Sequence, residues 1–456
     1  MVEFKDRGSE LVLLNELYSK GEPKLVVMYG RRRVGKTELL RQFLMQHKGL
    51  YLLGRQESDM KQLKRISLQV AEFFNDEFLK INPFSSWDAF CSYLAEKPRM
   101  PIVIDEFPYI VQSEKSITSI LQDYWDNKFS KRNSFIILCG SSINMMEQLL
   151  GRKSPLYGRR TEQILLEPLN FKGACLFFPE KTKIKERIIN FSILGGMPAY
   201  LLEFDFNKSL KENLFYNLLQ KNKFLYQDVL FTLKEELKEP RNYFSILYSI
   251  SKGNTKIGEI VNDTGLDKSF VNKYISVLID LQLVERRVPI TEKNPKRSRN
   301  GIYLIKDNFF RFWFRFVFEN QEYIEQEKQE KLINEKIVPE LDTFIGRVFE
   351  DIVISVISTS KKFKDYLFGR WWDRTSEADI VGLDKTNKKI IIGEVKFNKL
   401  TKKDITRIHD SLKEKTKKIN NYGFNEEHVI ICLGYEGSVE YYKGKGVIVL
   451  NFEEII

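Results

Sequence analysis

The sequence predicts an α/β chain: a parallel sheet, a helical stretch, then a second α/β region towards the C-terminal end. Three observations predict it. The apolar run Lys24-Leu25-Val26-Val27-Met28-Tyr29 enters a glycine-bounded loop and leaves it as the amphipathic segment Glu38-Leu39-Leu40-Arg41-Gln42-Phe43-Leu44. A second apolar run, Pro101-Ile102-Val103-Ile104, ends in Asp105-Glu106. Beyond residue 340 the patterns read helix, three strands, helix, strand.

The loop is Gly30-Arg31-Arg32-Arg33-Val34-Gly35-Lys36-Thr37. It fits G-x-x-x-x-G-K-[ST], the phosphate-binding loop of nucleoside triphosphatases, in the strand–loop–helix setting the motif requires. ATP with Mg²⁺ is the expected ligand. The glycines let backbone N–H groups close around phosphate oxygens, and the helix N-terminus adds its positive dipole end. Lys36 is expected on the β- and γ-phosphates and the Thr37 hydroxyl on Mg²⁺. Asp105 would hold Mg²⁺ through water, and Glu106 would polarise the attacking water as general base. The strand Ser134–Cys139 runs into Gly140-Ser141-Ser142, and Ser141 or Ser142 is expected to sense the γ-phosphate. Downstream, Arg159 or Arg160 has two readings. One is a stabiliser of phosphoryl charge, in cis or from a neighbouring copy in a homo-oligomer. The other is a surface ion pair.

Composition narrows the class. Hydrophobic content is 43% and charged content 30%, so the chain is globular. Lys and Arg total 73 against 62 acids, a net charge of +11, which favours a polyanionic partner. Cys91, Cys139, Cys175 and Cys432 lie far apart, which argues against zinc and disulfide scaffolds and for a reduced, cytoplasmic setting. His47, His409 and His428 are too scattered for a His-based metal site. No run approaches the roughly 18 apolar residues of a membrane span, so none is expected. Leu11, Leu14 and Leu17 fall at helical spacing, Gly49–Gly54 reads as a second strand, and helices are expected near Met60–Leu79 and Trp87–Leu94.

Several motifs occur together: Phe4-x-Asp6-Arg7 with Glu10-Leu11, the Gly30–Thr37 loop, Ile104-Asp105-Glu106, Leu156-Tyr157-Gly158-Arg159 and Gly195-Gly196-x-Pro198-x-Tyr200. In combination they resemble the archaeal ATPase family of the AAA+/STAND group of P-loop ATPases, over the first half of the chain. The resemblance implies a P-loop ATPase core of five strands (residues 1–167), a helical lid (168–239) and use as an ATP-driven switch or small machine.

Residues 240–306 resemble a winged helix-turn-helix. Three helical segments, the third with Asp267 as its expected cap, lead into two strands around a basic loop. From Arg286 to Arg311 there are eight basic residues against two acidic ones, which suits a DNA backbone. The competing reading is a domain used only for packing. A connector (307–340) follows. Its run Asn308–Phe318 is densely aromatic and reads as a buried helix, and the charged Glu319–Lys336 reads as a solvated helix or linker.

In the tail (341–456), Glu377-Ala378-Asp379 precedes Gly393-Glu394-Val395-Lys396. Period-2 geometry puts Glu394 and Lys396 on one face of a strand, and Asp379 can meet them from its neighbour. An acid, a hairpin and Glu-x-Lys resemble the PD-(D/E)XK restriction-endonuclease-like superfamily, as does the domain often fused to archaeal ATPases. The resemblance implies Mg²⁺ held by Asp379 and Glu394 against a DNA phosphodiester, and Lys396 positioning or deprotonating water. Glu350 is a further candidate carboxylate, and Glu377 an alternative to Asp379. Ala378 stands where the superfamily pattern has proline, so a retained fold with idle chemistry is the competing reading.

Overall fold

The computed structural model describes residues 4–237, 239–419 and 423–456. The chain forms two compact units that meet in sequence between Pro168 and Leu169. The first holds five strands: β1 (Lys24–Tyr29), β2 (Leu50–Leu53), β3 (Pro101–Asp105), β4 (Phe135–Gly140) and β5 (Glu162–Leu165). Their order is β2-β3-β4-β1-β5, and every pairing is parallel. Strands covered on both faces must be apolar throughout, and β3 and β4 are buried at every residue. Because β2 lies across the sheet from β1, the strand order reverses at β1, and ligands bind open α/β sheets at such a point. The Gly30–Thr37 loop leaves β1 there.

Local chemistry sets the helix limits. The expected helix from Met60 to Leu79 is two helices, Asp59–Phe74 and Glu77–Ile81. Asn75 takes a left-handed φ of 53° that ends the first, and the Asp76 carboxylate accepts from Leu79 N at 2.9 Å to cap the second. β5 carries Glu162 and Gln163 on an edge, so its apolar signal was too weak to predict.

The second unit begins with helices that include Ile184–Leu194 and Phe224–Glu236. Gly195-Gly196 between them is a close approach. A Cβ on Gly196 would lie 1.7 Å from the Leu169 carbonyl oxygen, and Leu169 N donates to Gly196 O at 2.8 Å. Helices Pro240–Ser251, Ile257–Thr264 and Lys268–Asp280 follow, then the antiparallel pair β6 (Val284–Arg287) and β7 (Ile302–Ile305). Asp267 stands at the start of the third helix without the expected capping hydrogen bond. Phe309, Phe310, Phe312, Trp313, Phe314 and Phe316 are buried, and the charged stretch after them also buries Ile324, Leu332 and Ile333 on helical turns.

The last sheet comprises β8 (Leu367–Trp372), β9 (Glu377–Asp384), β10 (Lys389–Lys396), β11 (Asn425–Cys432) and β12 (Val447–Asn451). Its order is β12-β11-β10-β9-β8, antiparallel from β8 to β10 and parallel from β10 to β12. The sequence pattern predicts four strands here, and Val447-Ile448-Val449-Leu450 adds a fifth beside His428–Cys432. Val381 and Leu383 of β9 and Ile390 and Ile392 of β10 share a core with Ile405, Ile408 and Leu412 of the Lys402–Ile419 helix. By strand alternation, Asp379, Glu394 and Lys396 lie on that same face.

Among the described residues, no helix is long and apolar enough to cross a membrane.

Candidate functional site

The first unit gathers its candidate residues at the C-terminal ends of β1, β3 and β4. Gly30 passes so close to the chain after β5 that a Cβ would meet Leu166 O at 2.3 Å, and Gly35 takes a φ of 102° at the start of the Lys36–Gln46 helix. The Arg7 guanidinium donates to Val34 O at 3.0 Å and to Glu167 O at 2.6 Å, and so braces the loop from behind. Arg32 donates to the Tyr109 hydroxyl. Lys36 is buried, and its Nζ donates to Gly30 O at 2.8 Å and Arg31 O at 3.0 Å. Burial lowers its pKa, against the pull of Cys139, Glu106 and Asp105.

Two short networks face this ammonium. Thr37 Oγ1 donates to Asp105 Oδ2 at 2.8 Å, and the Tyr51 hydroxyl donates to the same oxygen at 2.7 Å. Burial and the Asp105 charge raise the Tyr51 pKa, so its hydroxyl keeps its proton. Glu106 holds a left-handed φ of 53°, a conformation that costs a non-glycine residue of the order of 1 kcal/mol. Ser141 fixes its carboxylate: Oγ lies 2.6 and 2.8 Å from the two oxygens, and the Ser141 N–H donates at 3.2 Å. Ser142 instead caps the Ile143–Leu150 helix, accepting from Met145 N. Arg159 is in a half-exposed ion pair with Asp126 at 3.0 Å, and Arg160 donates to Leu150 O at 3.1 Å. This is the ion-pair alternative rather than a group brought to the loop.

Sequence reasoning missed Tyr51 and Arg7 as site residues. The signal for Tyr51 was its place on β2, beside the strand that ends in Asp105. Ser141→Ala is expected to lower ATP turnover about 10-fold by freeing Glu106, less than the roughly 10²–10⁴-fold that a general base itself contributes, with nucleotide affinity unchanged. Steady-state phosphate release and calorimetric titration of the nucleotide check it.

The loop suits a nucleotide triphosphate. Gly35 takes a positive φ that a side chain disfavours, the buried Lys36 ammonium lies against the loop carbonyls, and the hard oxygens of Thr37 and Asp105 are already side by side, as Mg²⁺ requires.

The second unit brings Asp379, Glu394 and Lys396 together. Lys396 Nζ donates to Glu394 Oε2 at 2.8 Å and to Asp379 Oδ2 at 3.3 Å. Val395 N donates to Asp379 Oδ2 at 2.9 Å. Lys415, on the Lys402–Ile419 helix, was not singled out from sequence; its Nζ donates to Glu394 Oε1 at 2.5 Å. Burial and then Asp379 raise the Glu394 pKa, while Asp379 and Glu394 hold Lys396 charged against its own burial. Glu350 pairs with Arg370 at 2.7 Å; burial pushes its carboxyl up to about 8, against Arg370 and with Asp379. Glu377 is exposed at the start of β9. Among the described residues no three His, Cys, Asp or Glu side chains form a ready-made metal cage. Mg²⁺ needs only one or two carboxylates with several waters, and Asp379 and Glu394 supply that donor set.

Of the eight basic residues from Arg286 to Arg311, several are structural. Arg286 donates to Pro295 O and Ser298 O, and Arg287 and Arg311 pair with Asp351. Lys293, Lys296, Arg297 and Arg299 are exposed on the loop between β6 and β7.

Known proteins share this organisation. Residues 4–204 match the family model of an ATPase domain found predominantly in Archaea, and residues 313–408 match one of archaeal and bacterial proteins of unknown function. An uncharacterized protein of Methanocaldococcus jannaschii is 33% identical over 440 residues, covering 94% of this chain and 95% of its own. An uncharacterized ATP-binding protein of the same organism is 43% identical over 44 residues, 10% of this chain and 75% of its own. The Walker-type ATPase PABY2304 of Pyrococcus abyssi superposes with a TM-score of 0.50 at 21% identity, over 68% of this chain and 96% of its own, which shows a common fold. The match to the first relative covers nearly the whole chain, the ATPase region included, and the chain belongs to the archaeal ATPase family.

Proposed function

We propose that this chain binds and hydrolyses ATP at the Gly30–Thr37 loop and, under that control, cuts DNA at Asp379, Glu394 and Lys396. The observation that carries the cutting reading is the meeting of Lys396 Nζ with both carboxylates on one sheet face. In the first unit, Mg²⁺ held by Thr37 and Asp105 would offset phosphate charge. Lys36 leaves the loop carbonyls for the β- and γ-phosphates, and Glu106 takes a proton from the attacking water while Ser141 keeps it aimed. In the second unit, Mg²⁺ held by Asp379 and Glu394 would polarise the scissile phosphate. Lys396 orients the attacking water and neutralises charge on the phosphate oxygens.

DNA contact is read from the second unit's three helices and hairpin as a winged helix. The exposed Lys268, Asn272 and Lys273 of its third helix support this, as does the exposed basic loop. Such contacts to phosphate fall steeply with salt. The test is cleavage of labelled DNA in Mg²⁺ or Mn²⁺. Glu394→Ala and Lys396→Ala are each expected to lose about 10²-fold or more of wild-type cutting, on the scale of a lost charge-stabilising group. Undiminished cutting in both variants sinks the proposal.

One observation favours a second reading, an ATP-switched DNA-binding protein with an idle tail. Both Glu394 carboxylate oxygens already accept from lysine ammonium groups. That reading predicts salt-dependent DNA binding with no metal-dependent cleavage.

A further inference from the structure

A cleft of about 860 Å³ opens onto Asp379. One wall is the β6–β7 hairpin, through Arg287, Ile302 and Leu304. The other is the Lys402–Ile419 helix, through Lys415 and Lys418. The hairpin wall is tied down at three places. Arg287 Nη1 lies 2.5 Å from Asp351 Oδ1, Ile290 N donates to Arg370 O at 2.9 Å, and Trp372 Nε1 donates to Asn300 O at 3.1 Å. The helix wall is tied across the mouth, where Lys418 Nζ donates to Thr375 Oγ1 at 3.1 Å and Ser376 Oγ at 2.8 Å.

These ties bear on what can reach the carboxylates. The volume is that of a small-ligand pocket, about 300–1,000 Å³, enough for one or two nucleotides between the walls. A duplex is two strands wide and stiff over tens of base pairs, and it needs an open groove or a flat face. The lining combines what a single strand offers contacts to. The half-buried Trp372 presents an aromatic surface, and Ile302 and Leu304 are apolar. Lys415 and Lys418 with Arg287 and Arg370 are cationic, set among the carboxylates of Glu350, Asp373, Glu377 and Glu414. Stacking of bases on aromatic rings beside a cationic track is how proteins hold single strands without reading sequence.

We propose that the substrate of this cleft is an unpaired DNA strand, either a single strand or an unpaired end beside a duplex. One base stacks on Trp372, and the phosphodiester runs past Lys415 towards Asp379. This rests on the reading of Asp379, Glu394 and Lys396 as a site for DNA phosphodiesters. It goes beyond that reading in excluding intact duplex from the carboxylates while the hairpin stays docked.

The experiment uses the full chain in EDTA, so that nothing is cut, with DNA carrying 2-aminopurine, a base whose emission falls on stacking. The same label sits in a single strand, in an unpaired tail and within a blunt duplex. Binding is followed separately by anisotropy, since the exposed basic surface can hold duplex elsewhere. Emission is expected to fall in the single strand and the tail and to stay level in the bound duplex. Trp372→Ala is expected to abolish the fall and weaken single-strand binding by about 5–100-fold, the size of one lost base stack. Trp372→Phe, which keeps a ring, is expected to retain most of both, and guards against a fold defect in the alanine variant. Equal quenching in duplex and single strand overturns the proposal, as does a single strand that binds unquenched or does not bind. Adding Mg²⁺ or Mn²⁺ separates the two readings. A quenched strand that is never cut removes the nuclease reading and leaves the strand class standing. Equal cutting of blunt duplex and unpaired strand does the reverse.

Discussion

Lys36→Ala is expected to reduce ATP hydrolysis about 10³-fold or more, the scale on which a pre-placed charge acts on a transition state. The Lys36 ammonium is buried and lies against Gly30 O and Arg31 O, so a desolvated charge stands at the loop before any nucleotide arrives and has only to shift from these carbonyls to the phosphates. Burial has removed its water, which makes its attraction for phosphate stronger than that of a surface lysine. Lys36→Arg is expected to fail nearly as badly. A planar guanidinium is bulkier than an ammonium and does not fit a pocket defined by two loop carbonyls. Phosphate release gives the rate, and calorimetric titration with a non-hydrolysable analogue separates lost binding from lost chemistry. The thermal midpoint of the first unit should fall only modestly, since a net hydrogen bond from a charged donor contributes roughly 1.5–3 kcal/mol.

Asp351→Ala is expected to have the largest effect on stability. Arg287, Arg370 and Arg311 converge on this carboxylate, the first two at 2.5 and 2.9 Å and the third at 3.9 Å. Removing it leaves three guanidinium groups facing one another, with Glu285 beside Arg287, Glu350 beside Arg370, and backbone carbonyls of Ile305 and Arg347 as the remaining acceptors for Arg311 and Arg370. Breaking such a pair from one side costs about 3–5 kcal/mol, or roughly 10 °C in the melting midpoint of the second unit. The pair also predicts a pH dependence. Burial pushes the Asp351 carboxyl up, but Arg370, Arg287 and Arg311 outweigh it and hold the pKa below the usual aspartate value. A lowered pKa contributes stability that is fully present above the unfolded value, near 3.9, and is lost as pH falls through the lower folded value. Scanning calorimetry from pH 7 down to about pH 3 should show a smaller acid loss of stability in Asp351→Asn, which keeps the shape without the charge, than in wild type, the other carboxyls titrating in both. An Asp351→Ala protein that melts with wild type would show that the arginines are held by other contacts.

The same residues explain how much could be read from the sequence. The α/β class and parallel sheet were legible because the phosphate loop, the Asp105 strand end and the apolar runs are local patterns. The meeting of Glu394 and Lys396 was legible from alternation along one strand. Asp379 was legible because a hairpin separates it from that strand by few residues. Contacts that depend on tertiary approach were not. Tyr51 and Arg7 reach their partners across 54 and 27 residues; the Phe4-x-Asp6-Arg7 motif and the β2 strand placed them near the loop, but neither pattern says what their side chains touch. Lys415 resembles its neighbouring lysines until the helix packs it onto Glu394. The Asp351 cluster joins β6, β8 and the Val338–Ser358 helix, so its members read as unrelated surface charges. That is also why the basic count from Arg286 to Arg311 overstated the surface left for DNA: part of it is bound internally. Arg159 carried two readings from the sequence, and within this chain the fold pairs it with Asp126.

The central claim is that nucleotide at Lys36 controls chemistry at Glu394. The most direct measurement is the rate at which wild type, Lys36→Ala and Glu394→Ala cut a labelled DNA bearing an unpaired tail, in Mg²⁺ with and without ATP. Wild type is expected to cut at a rate that changes several-fold with ATP. Lys36→Ala is expected to cut at a rate that ignores ATP, and Glu394→Ala not to cut. Wild-type cutting that is identical with and without ATP, or an ATP response that survives in Lys36→Ala, would contradict the claim.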